Sequence, residues 1–286
     1  MAYNHLTSSS GARRKGTQTF ELRKLFDEGI TAKSIYEPLE CCLFDDDAAV
    51  VSEKMKRLDF DICGTKQNDT SRIEGYVNRE QLISGSCSQY ISPITTLDLV
   101  AESTPLMKVL GILKGKPHVF VLCENEDIGI ISRADLQKMP VRILLFSLVS
   151  LFEMHLSDLI RKFYCDDSWK QELSNSRLED AEGVLKKRIE SNEELDLLSC
   201  IQLCDKKTLV LASEDIRKHF DFKDKRTAKR MLVKVEKIRN TLAHSQELAS
   251  GMSWEEIIKV FVEIEEMLSR SDRLLQEEMI CSHDQD

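Results

Sequence analysis

Along residues 22–138 the apolar positions switch between two periods. Some stretches repeat every three to four residues, as on one face of a helix. Others are short apolar runs of the kind found in half-buried or buried strands. Two pairs of stretches follow the same order. AVVSEKMKRLDFDICGT (49–65) corresponds to PLMKVLGILKGKPHVFVL (105–122), each a short amphipathic helix followed by an apolar strand. RIEGYVNREQL (72–82) corresponds to EDIGIISRADL (126–136), with Gly75 and Gly129 in equivalent places 54 residues apart. Each copy reads helix, strand, turn, strand, helix, which predicts a duplicated α/β unit. Residues 1–18 are polar and small and read as disordered.

After Pro140 the pattern becomes helical. From residue 141 to 278 there is no proline, and glycine occurs only at Gly183 and Gly251. The apolar spacing predicts helices over about 141–164, 176–191, 196–203, 213–219 and 224–246. A last helix begins at SWEE, where Ser253 and Glu256 have the spacing of a capping box. The helix from 141 is apolar nearly all round in its first half, which predicts burial, at a subunit interface. Its run ILLFSLVSLF (143–152) is far shorter than the ~20 residues that cross a bilayer. The expectation is therefore a soluble protein without a membrane span, of three parts. These are residues 1–18, an α+β part over 19–140 and an all-α bundle over 141–286.

Composition adds limits. The 286 residues are 42% hydrophobic and 31% charged, with a net charge of -9. An acidic chain binds a polyanion only through a local basic patch. Nine cysteines with no C-x-x-C pair and no secretory signal read as reduced thiols in the cytoplasm, without a metal site. Cys200 and Cys204 lie in an apolar stretch and read as core.

GIISRAD (129–135) resembles the signature of the CBS (cystathionine-β-synthase) domain family: glycine, two apolar residues, Ser or Thr, two variable residues, Asp. The resemblance implies a tandem CBS pair with an adenine nucleotide (ATP, ADP, AMP or a related signalling nucleotide) as regulator. It implies a site at Gly129, Ser132 and Asp135, with Arg133 as a further phosphate partner. The residue chemistry agrees: a hydroxyl suits a phosphate, and a carboxylate accepts from ribose hydroxyls. The bland reading makes Ser132 a helix cap and Asp135 its first-turn charge. The first copy, GYVNREQ, has Asn78 and Gln81 at the equivalent places, so the resemblance supports one site rather than two. His118, at the start of a strand, is either near the adenine or structural.

The second half carries the basic patch. Ten Lys or Arg against Asp221, Asp224 and Glu236 leave +7 over residues 217–239. Lys225, Arg226, Lys229, Arg230, Lys234 and Lys237 are candidate RNA contacts. The competing reading is a solvated face answered by Glu255, Glu256, Glu263, Glu265 and Glu266 of the last helix. The patch ends in RNTLAH (239–244), which resembles the R-x4-H motif of HEPN (higher eukaryotes and prokaryotes nucleotide-binding) domains. That resemblance implies a metal-independent endoribonuclease of stress or phage defence, with Arg239, Asn240 and His244 as catalytic residues. No cofactor is needed for the cleavage. On a straight helix Arg239 and His244 stand about 140° apart. The chain must bend there, or two protomers must complete the site, so the resemblance implies a homodimer. Two alternatives remain open. One is a non-catalytic adenylate-responsive or dimerisation protein, and the other a toxin held by an antitoxin partner.

Overall fold

The computed structural model describes residues 24, 26, 28–124, 128–191, 196–243, 248 and 251–283, with side chains of the last helix described to 274. Residues 1–18 and His244 lie outside the described residues. The chain forms two compact units, one of Asp27–Leu144 with Glu247–Lys259, the other containing Leu145–Gln246 and Val260–Asp286.

The first unit is an internal duplication. In chain order it has β1 (Glu37–Pro38), β2 (Cys41–Leu43), α1 (Ala48–Arg57), β3 (Ile62–Lys66), β4 (Gly75–Asn78), β5 (Ser92–Pro93), β6 (Leu99–Ala101), α2 (Leu106–Leu113), β7 (His118–Leu122) and β8 (Ile128–Ser132). These make two four-stranded sheets, ordered β2-β3-β4-β5 and β6-β7-β8-β1. In each sheet a helix carries the chain between two parallel strands, β2 to β3 and β6 to β7, and an antiparallel strand follows. A parallel pair needs such a crossover, and α1 and α2 supply it. Asp47 starts α1 by accepting from the amides of Ala49 and Val50. Leu106, Met107, Val109, Leu110 and Leu113 bury most of α2.

The sheet edges repeat as well. Pro38 pairs with Gly129, and Pro93 pairs with Gly75. Both prolines sit on outermost strands, where a missing N–H breaks no ladder. Both glycines are needed by the close approach of that edge. A Cβ on Gly129 would fall 2.5 Å from the Tyr36 ring, and one on Gly75 would fall 2.6 Å from Ile91 Cγ2 and from the Ser92 carbonyl oxygen. The expected helices after β4 and β8 are short 3-10 turns, Arg79–Gln81 and Arg133–Gln137.

The second unit is largely helical. Its elements are α3 (Met139–Phe163, entering from the first unit), α4 (Asn175–Glu190), α5 (Leu203–Ala212), α6 (Glu214–His219), α7 (Lys225–Ala243) and α8 (Trp254–His283, also shared). The helix expected over 196–203 is instead a 3-10 turn, Leu197–Cys200, followed by α5. Asp196 closes the turn on the Ser199 amide, Ile201 is extended, and Gln202 and Asp205 cap a new helix. Two caps in succession break what periodicity alone reads as one segment.

The apolar run 143–152 belongs to a 25-residue helix, long and apolar enough by composition to cross a membrane. Leu148, Phe152, Leu156, Leu159 and Ile160 are buried in the protein. The helix is not covered all round as its composition predicts. Met139, Ile143, Phe146 and Met154 remain about half exposed, within an arc of about 80° at 100° per residue.

Candidate functional site

The second sheet brings together what the sequence scatters. Ser132 ends β8, and His118 begins β7 directly opposite it. Residues opposed in an antiparallel pair project from the same face. The His118 ring lies edge-on to Tyr76, 5.8 Å between centroids, and both pack on Phe120 at 5.1 Å. Tyr76 comes from the first copy, so this aromatic group joins the two sheets. Burial holds the His118 imidazole below its ordinary value, against the opposing charge of Asp98. It is therefore neutral at pH 7. Tyr76 and His118 are half-buried, leaving part of each ring exposed.

The turn after β8 is a reciprocal cap. The Ser132 hydroxyl accepts from the Ala134 amide at 3.2 Å, while the Ser132 amide donates to Asp135 Oδ2 at 2.7 Å. Ser132 Oγ lies 3.1 Å from the same oxygen. Asp135 Oδ1 pairs with Lys138 Nζ at 2.9 Å. Lys138 also donates to the Ile35 carbonyl at 2.5 Å and pairs with Glu37. Burial draws the Lys138 ammonium down, but Glu37 and Asp135 outweigh it and its pKa is raised. Both Asp135 oxygens thus have partners, and a ribose would have to exchange with one of them. Lys138 carries no motif, and the sequence reading missed it.

Arg133 pairs with Glu255 and donates to the Leu113 carbonyl at 3.4 Å. Its Nε is buried without a hydrogen-bond partner among the described residues. Glu255 therefore does not answer the basic helix, as the competing sequence reading has it; it answers Arg133. In the first copy Asn78 keeps the cap, accepting from the Glu80 amide at 3.1 Å, while Arg79 pairs with Asp61 at 2.6 Å.

In the helical unit α7 has a clear division. Ala228, Met231, Leu232, Val235, Ile238 and Leu242 are buried. Lys225, Arg226, Lys229, Arg230 and Lys237 are exposed, and Lys234 is half-buried. Glu236 pairs with Lys207 of α5. At the end of the helix the Arg239 guanidinium donates to Asn240 Oδ1 at 3.3 Å. His244, the third residue of the motif, lies beyond the described end of α7.

A second group of charges in this unit has no sequence signature. Lys206, buried on α5, donates to Glu153 Oε1 at 3.3 Å and to the Glu153 carbonyl at 3.4 Å. Burial lowers its pKa despite Glu153. Arg161 grips Asp196 through Nε at 3.0 Å and Nη2 at 3.1 Å and reaches Asp158 at 2.9 Å. His155 lies 3.4 Å from Asp272. The Lys206–Glu153 and Arg161–Asp196 pairs tie α5 and the turn before it to α3, and His155–Asp272 joins α3 to α8. Cys200 and Cys204, expected in the core, are half-buried.

No protein-family model and no curated protein matches the chain. Solved structures do. One is the hemolysin-like CBS-domain protein of Oenococcus oeni PSU, at 15% identity over 42% of this chain and 96% of that one, with a TM-score of 0.33. Another is CBSX2 in complex with AMP, at 15% identity over 40% and 98%, with a TM-score of 0.35. A third is the CBS domain of the bacterial CNNM/CorC family Mg2+ transporter in complex with ATP, at 10% identity over 43% and 94%, with a TM-score of 0.34. Each is a CBS-domain structure.

Proposed function

We propose that the chain is an adenine-nucleotide-responsive protein whose helical unit is a metal-independent endoribonuclease. The observation that carries the nucleotide half is the placement of His118 opposite Ser132, beside Tyr76. A neutral imidazole and a phenol ring offer π faces to a base. The Ser132 hydroxyl and Arg133, released from Glu255, offer partners for the phosphate. Asp135 accepts from the ribose by exchanging with Lys138 or Ser132.

The ribonuclease half rests on the exposed basic face of α7 leading into Arg239, Asn240 and His244. The face tracks a phosphate backbone. His244 removes the proton of a ribose 2′-hydroxyl, and the oxygen attacks the adjacent phosphorus. Arg239, oriented by Asn240, stabilises the charge on the phosphoryl oxygens. The imidazolium so formed gives its proton to the departing 5′-oxygen as the P–O5′ bond breaks, leaving a 2′,3′-cyclic phosphate and a 5′-hydroxyl. Two protomers complete the site, because five residues along an ideal straight helix turn through about 140°, too far for the Arg239 and His244 of one chain to share a face.

The test incubates wild type and His244→Ala with structured RNA in EDTA, with and without AMP or ATP. The expected result is cleavage by wild type alone, with cyclic phosphate ends and a rate that changes with nucleotide. Equal cutting by both proteins, or none by either under all conditions, contradicts the ribonuclease. In the second case the non-catalytic adenylate-responsive regulator replaces it.

A further inference from the structure

The α/β unit contains a cavity of about 220 Å³ between α1 and strands β2 and β3. None of the proposed nucleotide residues lines it. Its inner wall is formed by Cys42, Val51, Met55 and Cys63, all buried, and by Phe60. Val50 and Leu58, 67% and 44% exposed, flank the opening. The volume is below the ~300 Å³ of drug-sized pockets, so a small molecule fits it.

The sulfur atoms do not make this a metal or nucleophile site. Cys42, Cys63 and Cys87, distant in sequence, share one core cluster. The hydrogen bond with Cys63 and burial push the Cys42 thiol far above its ordinary value, and burial pushes Cys87 up to about 12. Both stay protonated at neutral pH, and a protonated thiol is a poor ligand and nucleophile. Among the described residues no group of three or more His, Cys, Asp or Glu is placed to hold a metal ion. The inner wall therefore acts as a soft, polarizable apolar surface, which favours an aromatic ring.

The opening is charged with one sign in excess. Glu40, Asp46 and Asp47 line the cavity against a single cation, Lys54. Asp46 Oδ2 accepts from the Leu43 amide at 2.8 Å, and Asp47 Oδ1 accepts from the Ala49 and Val50 amides. The other carboxylate oxygen of each has no partner among the described residues. Glu40 is exposed and has no ion-pair partner among them. We infer that this cavity binds a small organic cation, an ammonium group on an apolar, preferably aromatic, body. The ring lies against Met55, Phe60 and the thiols, and the ammonium meets the carboxylates. This site stands apart from the nucleotide and RNA readings and does not depend on either.

The test is calorimetric titration of the full chain with three probes of one shape: phenethylamine, phenethyl alcohol and 3-phenylpropionate. Two variants accompany it. Asp47→Asn keeps the cap of α1, since Asn caps as well as Asp, and Glu40→Gln changes an exposed side chain. The inference expects phenethylamine to bind at least fivefold more tightly than either other probe. Each variant should weaken it about fivefold, the effect of one partly exposed ion pair. Undetectable amine binding, equal affinity for all three probes, or variants that bind like wild type would overturn it.

Discussion

His118 and Ser132 face each other across the β7–β8 pair, and their side chains leave the sheet on the same side. This relationship turns two separate residues into one surface, with an aromatic ring beside a hydroxyl. Tyr76 extends that surface from the other sheet.

Burial lowers the pKa of His118 and of His219. In the unfolded chain both imidazoles take up a proton more readily than in the folded one. Their contribution is fully present above about 6.5 and is lost as pH falls through the lowered folded values. Unfolding by urea at pH 7.5 and 5.5 should show lower stability at 5.5, and the double variant His118→Phe, His219→Phe should show a smaller difference. A wild type of equal stability at both pH values contradicts this.

The two structural glycines should differ sharply from a helical one. Gly129→Ala places a methyl group 2.5 Å from Tyr36 and 3.0 Å from the Glu37 carbonyl oxygen. It should cost about 1–3 kcal/mol in chemical denaturation, as overpacking does. Gly183→Ala, in α4 with nothing within 4 Å of the new Cβ, should add about 0.5–1 kcal/mol.

The Lys206–Glu153 pair should respond asymmetrically. The lysine side chain is 6% exposed and the glutamate 22%. Glu153→Leu leaves a buried ammonium without its carboxylate and should cost about 3 kcal/mol. Lys206→Met leaves a carboxylate that water reaches, and should cost less. Equal losses on denaturation would show that the pair acts by packing rather than charge.

The basic face of α7 should bind RNA through its phosphates. Lys229→Ala and Arg230→Ala, both on the exposed side, should each weaken binding and reduce the slope of log affinity against log salt by about 1. Fluorescence anisotropy over a salt series checks this. A slope that does not change places the RNA elsewhere.

The duplication was legible because the copies keep both the hydrophobic period and a glycine at the same place. Edge strands β1 and β5 were not legible, since two residues such as Glu37–Pro38 carry no period. Their positions follow from pairing with Gly129 and Gly75, which only the folded chain reveals. The start of α5 was obscured because its buried face includes Asp205 and Lys206, polar residues that a hydrophobicity pattern assigns to solvent. The Tyr76–His118 contact joins residues 42 positions apart in sequence. The clustering of Cys42, Cys63 and Cys87 is likewise tertiary. In contrast α7 was legible from its start through Ala243, because its apolar stripe and its charges separate cleanly on a 3.6-residue period; the rest of the expected helix, to 246, lies outside the described residues.

The most direct measurement is calorimetric titration of AMP into wild type, Ser132→Ala and His118→Ala. The account predicts one nucleotide per chain in wild type. It predicts weaker binding by about tenfold in each variant, near the loss of one hydrogen bond to a charged group or one stacking contact. No binding to wild type, two equivalent sites per chain, or unchanged affinity in both variants would contradict it.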